Sequence, residues 1–173
     1  MSKIQAVSHL AFQEPGTFSL PPGKYYVGDP CYVLDRELYK TLGSFRFQSV
    51  QSSDYGLMVF DVDVEGNPAR IATFPTMHGD GTYEYHGTNE DDWSHMPVDS
   101  GSLAFVDLRL CTRSDGNNRD NGGELTLFQE TELRIDDHHN VYLGHDVLVE
   151  VELEDEEDEY EDDESPEDDE DED

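Results

Sequence analysis

The chain has 173 residues, 42 of them acidic and 10 basic, for a formal charge of −32. A surface this negative repels nucleic acid and anionic membranes, so direct contact with either is excluded and the natural partners are cations or basic protein surfaces. Two cysteines, Cys31 and Cys111, are too few for a disulfide framework. The opening MSKIQAVSHLAF reads neither as a signal peptide nor as a membrane span, which predicts a cytoplasmic protein with reduced thiols.

Taken in chain order, the apolar periodicity is short and mostly of period two. GTFSL (16–20) and KYYVG (24–28) read as strands separated by Pro21, Pro22 and Gly23. DRELYKTL (35–42) is the one helical candidate, one to two turns with Asp35 as N-cap. SFRFQSV (44–50), GLMVFDVDV (56–64) and RIATF (70–74) read as further strands, with a turn at Gly66, Asn67 and Pro68. In FDVDV the alternation puts Val62 and Val64 on one face, Asp61 and Asp63 on the other. Residues 75–98 read as a long ordered loop crossed by a short strand at 82–85. SLAFVDLRL (102–110), ELTLFQETEL (124–133) and NVYLGHDVLVEVEL (140–153) complete the set. These elements predict an all-β domain over residues 1–153, mostly antiparallel, as a sandwich or partly open barrel of roughly seven to nine strands with at most one short helix.

Residues 154–173 are different in kind. Seventeen of these 20 residues are Asp or Glu, the exceptions being Tyr160, Ser165 and Pro166. Such a segment buries almost nothing and repels itself, so a disordered acidic tail is expected. The 25 acids outside it still outnumber the 10 bases by 15, so the body is acidic as well. An extended chain rises about 3.3 Å per residue. The tail therefore carries one charge per roughly 4 Å, close to the one phosphate per about 3.4 Å of a nucleic-acid strand.

Four stretches hold candidate chemistry. In YYVGDPCYVL (25–34), Asp29 lies between Gly28 and Pro30, where a short acceptor closes a turn. A reactive Cys31 would need a neighbouring base, and none of the seven histidines stands at a spacing that singles it out. In MHGDGTYEYHG (77–87), Asp80 reads as a turn residue. His78, Asp80, His86 and His95 offer donors without a zinc-site spacing, so no metal is assigned. Asp99-Ser100-Gly101 opens an apolar strand but lacks the strand–turn–helix context of a hydrolase elbow. Asp115, Asn117 and Asp120 share part of a calcium-loop pattern with the glycine misplaced. No nucleophile–base order or cofactor loop is present, so no catalytic residue and no cofactor are assigned.

VGDPCYVL, HGDGTY and VDSGSLAFVD, in this order, resemble a loosely defined group of small, uncharacterised bacterial and bacteriophage all-β proteins. Those proteins carry a Gly-Asp-Pro-Cys-Tyr corner, a Gly-Asp-Gly-x-Tyr turn and a Val-Asp-Ser-Gly strand entry. The resemblance covers roughly residues 24–107 and implies that Asp29, Asp80 and Asp99 belong to one scaffold, with the acidic tail as an addition.

Two functions are expected from these features. The first is an acidic protein, of bacteriophage type, that mimics nucleic acid and inhibits a basic nucleic-acid-binding host protein in the host cytoplasm. Its binding residues would be Glu154, Asp155, Glu156, Glu157, Asp158 and Glu159, continued by Glu161, Asp162, Asp163 and Glu164. The second is a small enzyme or ligand-binding β-domain that uses a rim of Asp29, Asp80 and Asp99.

Overall fold

A computed structural model describes residues 4–10, 16–49, 56–76, 78–88, 93–113 and 119–150. The predicted tail, with all ten of its proposed binding residues, lies outside the described residues.

Twelve strands are present among the described residues: β1 (Ile4–Leu10), β2 (Gly16–Leu20), β3 (Gly23–Gly28), β4 (Leu57–Val64), β5 (Asn67–Pro75), β6 (Gly81–Tyr85), β7 (Ser94–Val98), β8 (Ser102–Asp107), β9 (Gly123–Leu127), β10 (Thr131–Ile135), β11 (Val141–Leu143) and β12 (Asp146–Glu150). They form two open six-stranded sheets, β1-β4-β5-β8-β3-β9 and β2-β10-β11-β12-β6-β7. Every pairing is antiparallel. The expected all-β sandwich is therefore what the chain folds into, with more strands than the seven to nine predicted.

The period-two pattern explains the layering. On β4, Leu57 and Val59 enter a core that both sheets share, while Met58, Phe60 and Val62 enter a second core on the opposite face. On β8, Leu103 and Phe105 face the shared core, Ala104 and Val106 the other. The central strands of the first sheet are thus buried on both faces and read as continuous apolar runs. The second core is closed by Val33, Leu34, Leu42 and Leu110, with Leu38 packed against it. The second sheet has one buried face; Glu132, Arg134, Glu150 and His95 on its strands are exposed. Arg70 ties the layers together. It makes a two-point bond to Asp61, its cross-strand partner, and donates to the Ser19 carbonyl at 2.9 Å.

The one α-helix among the described residues, α1 (Arg36–Ser49), is 14 residues long and takes in residues 44–49 of the strand expected at 44–50. Phe45 and Phe47 mimic a strand alternation, but Leu38, Leu42 and Phe45 also fall at i, i+4 and i+7, and the helix period wins once Leu38 and Leu42 meet the second core. Asp35 caps the helix as expected: its Oδ1 accepts from the Glu37 and Leu38 N–H groups. Among the described residues no helix is long and apolar enough to cross a membrane.

Two predicted strands are each two strands. The 124–133 run breaks at 128–130 because β9 and β10 belong to different sheets. Phe128 is left 92% exposed at that crossing. The 140–153 run folds back at Gly144, whose φ of +61° opens the β11–β12 hairpin. The 66–68 turn is shifted by one residue. Glu65 and Gly66, both at positive φ, form the two-residue hairpin, and Asn67 and Pro68 begin β5. β1 and β7 lay outside the predicted set, β1 in a polar-interrupted run and β7 in a loop-like composition; β7 is an edge strand, where Pro97 is tolerated.

Candidate functional site

The GDPCY corner joins β3 to a 3-10 turn, Pro30–Tyr32, and Asp29 is its N-cap. Its side chain is fully buried. Oδ1 accepts from the Cys31 N–H at 2.8 Å and the Ser100 hydroxyl at 2.7 Å. Oδ2 accepts from the Asp99 and Ser100 N–H groups, both at 2.8 Å. A carboxylate can enter the interior only when its oxygens are filled in this way. The Ser100 hydroxyl, which resembled a nucleophile in isolation, is a donor to Asp29.

The three Asp-containing turns converge at one end of the sandwich. Asp29 grips residues 99–100, and the Tyr32 hydroxyl bonds the Asp99 carboxylate. That bond, with burial and the negative charge of Asp99, pushes the Tyr32 pKa up. Thr76 donates its N–H to the Gly101 carbonyl at 3.0 Å, and Asp80 lies against Gly101, which adopts φ +71°. Asp80 and Asp99 are exposed, whereas Asp29 faces no solvent. Only the first two could meet a ligand without unfolding the corner.

Neither thiol is set up as a nucleophile. Burial, a hydrogen bond to Asp29 and the charges of Asp29 and Asp99 push Cys31 up to about 12. Burial does the same to Cys111, up to about 12, despite the opposing charge of Arg119. Both remain thiols at neutral pH, and a thiol is a poor nucleophile and a poor metal ligand.

A different cluster lies on the open face of the second sheet. Glu150 on β12 pairs directly with Glu84 on β6, and His86 follows two residues after Glu84 on the same face. His86 Nε2 is 2.8 Å from a Glu150 oxygen and 3.6 Å from a Glu84 oxygen. The three donor atoms all lie within 4.8 Å of one another. Of the donors considered from sequence, His86 belongs to this group; His78, Asp80 and His95 do not. Glu84 and Glu150 went unnoticed in sequence. Glu84-x-His86 is a visible two-residue spacing, but Glu150 arrives only through the β12–β6 register.

A cleft of about 730 Å³ opens beside Tyr26, Arg119, Asp120, Gly122, Gly123 and Glu124. Its floor requires glycine: a Cβ at Gly122 would run into the Val27 carbonyl and the Tyr26 ring, and one at Gly123 into the Tyr85 ring. Asp120 stands at its wall and is exposed, while Asp115 and Asn117 lie outside the described residues. No protein-family model, curated protein or solved structure matches the chain.

Proposed function

We propose that this is an acidic binding protein that occupies the nucleic-acid groove of a basic partner, in the manner of a bacteriophage inhibitor. The observation that supports this reading is the disposition of charge on the folded body. Three arginines are held by the protein's own carboxylates: Arg70 by Asp61, Arg109 by Asp107 and Arg119 by Glu124. Arg113 bonds the Cys31 carbonyl. Meanwhile Glu65, Asp80, Glu130, Glu132, Asp137 and Asp146 are exposed on turns and strand ends. The excess of acid over base is therefore a surface property that a positive groove would meet at long range. The tail adds a charge density close to that of a single strand, and the body supplies shape.

The test uses the full chain as bait for a basic partner, followed by competition with labelled single-stranded DNA on the recovered complex. Binding should fall steeply from low to moderate salt and be displaced by the DNA. A complex that forms equally well with the nucleic-acid site filled, or that ignores salt, overturns the reading. A ligand-binding β-domain is the second reading, favoured by the 730 Å³ cleft and by the exposed Asp80 and Asp99.

A further inference from the structure

We propose that Glu84, His86 and Glu150 form a binding site for a divalent ion of the Zn²⁺ class on the open face of the second sheet, a role separate from the capture of a basic partner.

The donor set selects the ion. One imidazole and two carboxylates are three donors of the N and O types that zinc takes, with a fourth position left open. Calcium takes six to eight oxygens and magnesium keeps an octahedral oxygen shell, so two carboxylates and a nitrogen suit neither. The distances agree. Donors about 2.1 Å from a shared tetrahedral ion stand roughly 3.4 Å apart. His86 Nε2 lies 2.8 and 3.6 Å from the two carboxylate oxygens, and the whole trio spans 4.8 Å.

The sheet supplies an independent reason for a cation here. Glu84 and Glu150 are cross-strand partners, and like charges directly opposite each other destabilise a ladder. Among the described residues neither carboxylate pairs with Lys or Arg; His86 is their basic neighbour. A divalent ion neutralises both carboxylates at once. The site is also anchored. The His86 N–H donates to the Leu148 carbonyl at 2.9 Å, which fixes the residue that follows β6 against β12. On binding, His86 presents the Nε2 lone pair to the ion.

The acidic tail is an obvious source of adventitious cation binding, and its donors are oxygen alone. Metal-free full-length protein would be titrated with Zn²⁺ in a large excess of Mg²⁺, which fills oxygen-only sites, and separately with Co²⁺ while visible absorption is followed. One equivalent of Zn²⁺ should resist Mg²⁺, and Co²⁺ should give the strong visible bands of a four-coordinate site. His86→Ala and Glu84→Gln should each weaken that equivalent by more than about 100-fold, beyond the 10–100-fold loss typical of outer-shell partners. Circular dichroism with chelator present checks that each variant folds; if His86→Ala does not, Glu84→Gln and the exposed Glu150→Gln decide. Zn²⁺ that is stripped by Mg²⁺, or bound equally well by the folded variants, overturns the site.

Discussion

Asp29 lies at zero exposure with its oxygens filled by three backbone N–H groups and the Ser100 hydroxyl. Glu84 and Glu150 face each other across two strands, with one half-exposed imidazole beside both. Both centres bring carboxylates to fixed positions, but they differ in what is left over. At Asp29 every oxygen is used by the fold, so removing it harms structure and leaves no site behind. At Glu84 and Glu150 the fold leaves the charges facing one another, so removing one relieves repulsion and affects whatever binds there. Asp136 follows the Asp29 pattern: its oxygens accept from the His138 and Asn140 N–H groups, the Asn140 side chain and the Tyr142 hydroxyl. Burial alone would raise its pKa, and these bonds outweigh burial and lower it.

The sharpest way to break this contrast is Asp29→Ala. It strands several buried donors at once, and hydrogen bonds to a charged group count for about 1.5–3 kcal/mol each without adding fully. We expect a loss of about 3–4 kcal/mol in urea unfolding. A loss under about 1 kcal/mol would mean the corner is held by something other than Asp29.

Gly123→Ala comes next. The added methyl meets the buried Tyr85 ring, a rigid neighbour that has no room to retreat. Overpacking of this kind costs about 1–3 kcal/mol, read as a lower urea midpoint with unchanged slope. An unchanged midpoint would show that the β9 edge yields more easily than its packing implies.

Glu150→Gln probes the other side of the comparison. In chelator, with no ion bound, it should leave stability unchanged or raise it by about 0.2–1 kcal/mol, because the opposed like charges are gone. A loss of more than about 1 kcal/mol would place Glu150 with Asp29 as a structural carboxylate.

The pH response separates buried from open groups in the same way. Burial holds the His139 imidazole below its ordinary pKa, although its bond to the Pro75 carbonyl and the charge of Asp136 act in the opposite sense. The unfolded chain therefore takes up the proton more readily. This contribution to stability is complete above about pH 6.5 and is lost as pH falls through that value. His139→Asn tolerates the φ of +65° and should flatten the decline of stability with acid. An equally steep decline in the variant would point to other groups. The smallest effect is expected from truncation after Leu153: an unchanged or slightly higher melting temperature, since self-repulsion falls. Loss of cooperative unfolding would show that the tail is part of the folded unit.

Much of this was legible in sequence, for local reasons. Alternation in FDVDV placed Val62 inward and Asp63 outward as found, and Asp35 announced its helix. The Asp29 turn was also readable, because glycine and proline constrain the backbone on either side. What was not readable depends on distant pairing. That Asp29 grips Ser100, 71 residues away, and that Glu150 meets His86, 64 residues away, follows from strand register alone. The 44–50 segment misled because Phe45 fits both periods, and the contact of Leu38 and Leu42 with the second core decided between them.

Strand order has a consequence for how the protein is made. β2 emerges early, yet among the described residues its one strand partner is β10, where Leu20 meets Thr131. On the ribosome β2 must wait while on the order of a hundred further residues are synthesised. Pairing over such separations is intrinsically slow, and an unpaired strand edge invites association with other chains. A nascent chain stalled before residue 131 should therefore be protease-sensitive at β2 however long it waits, and release of the last two hairpin strands should be the event that closes the second sheet.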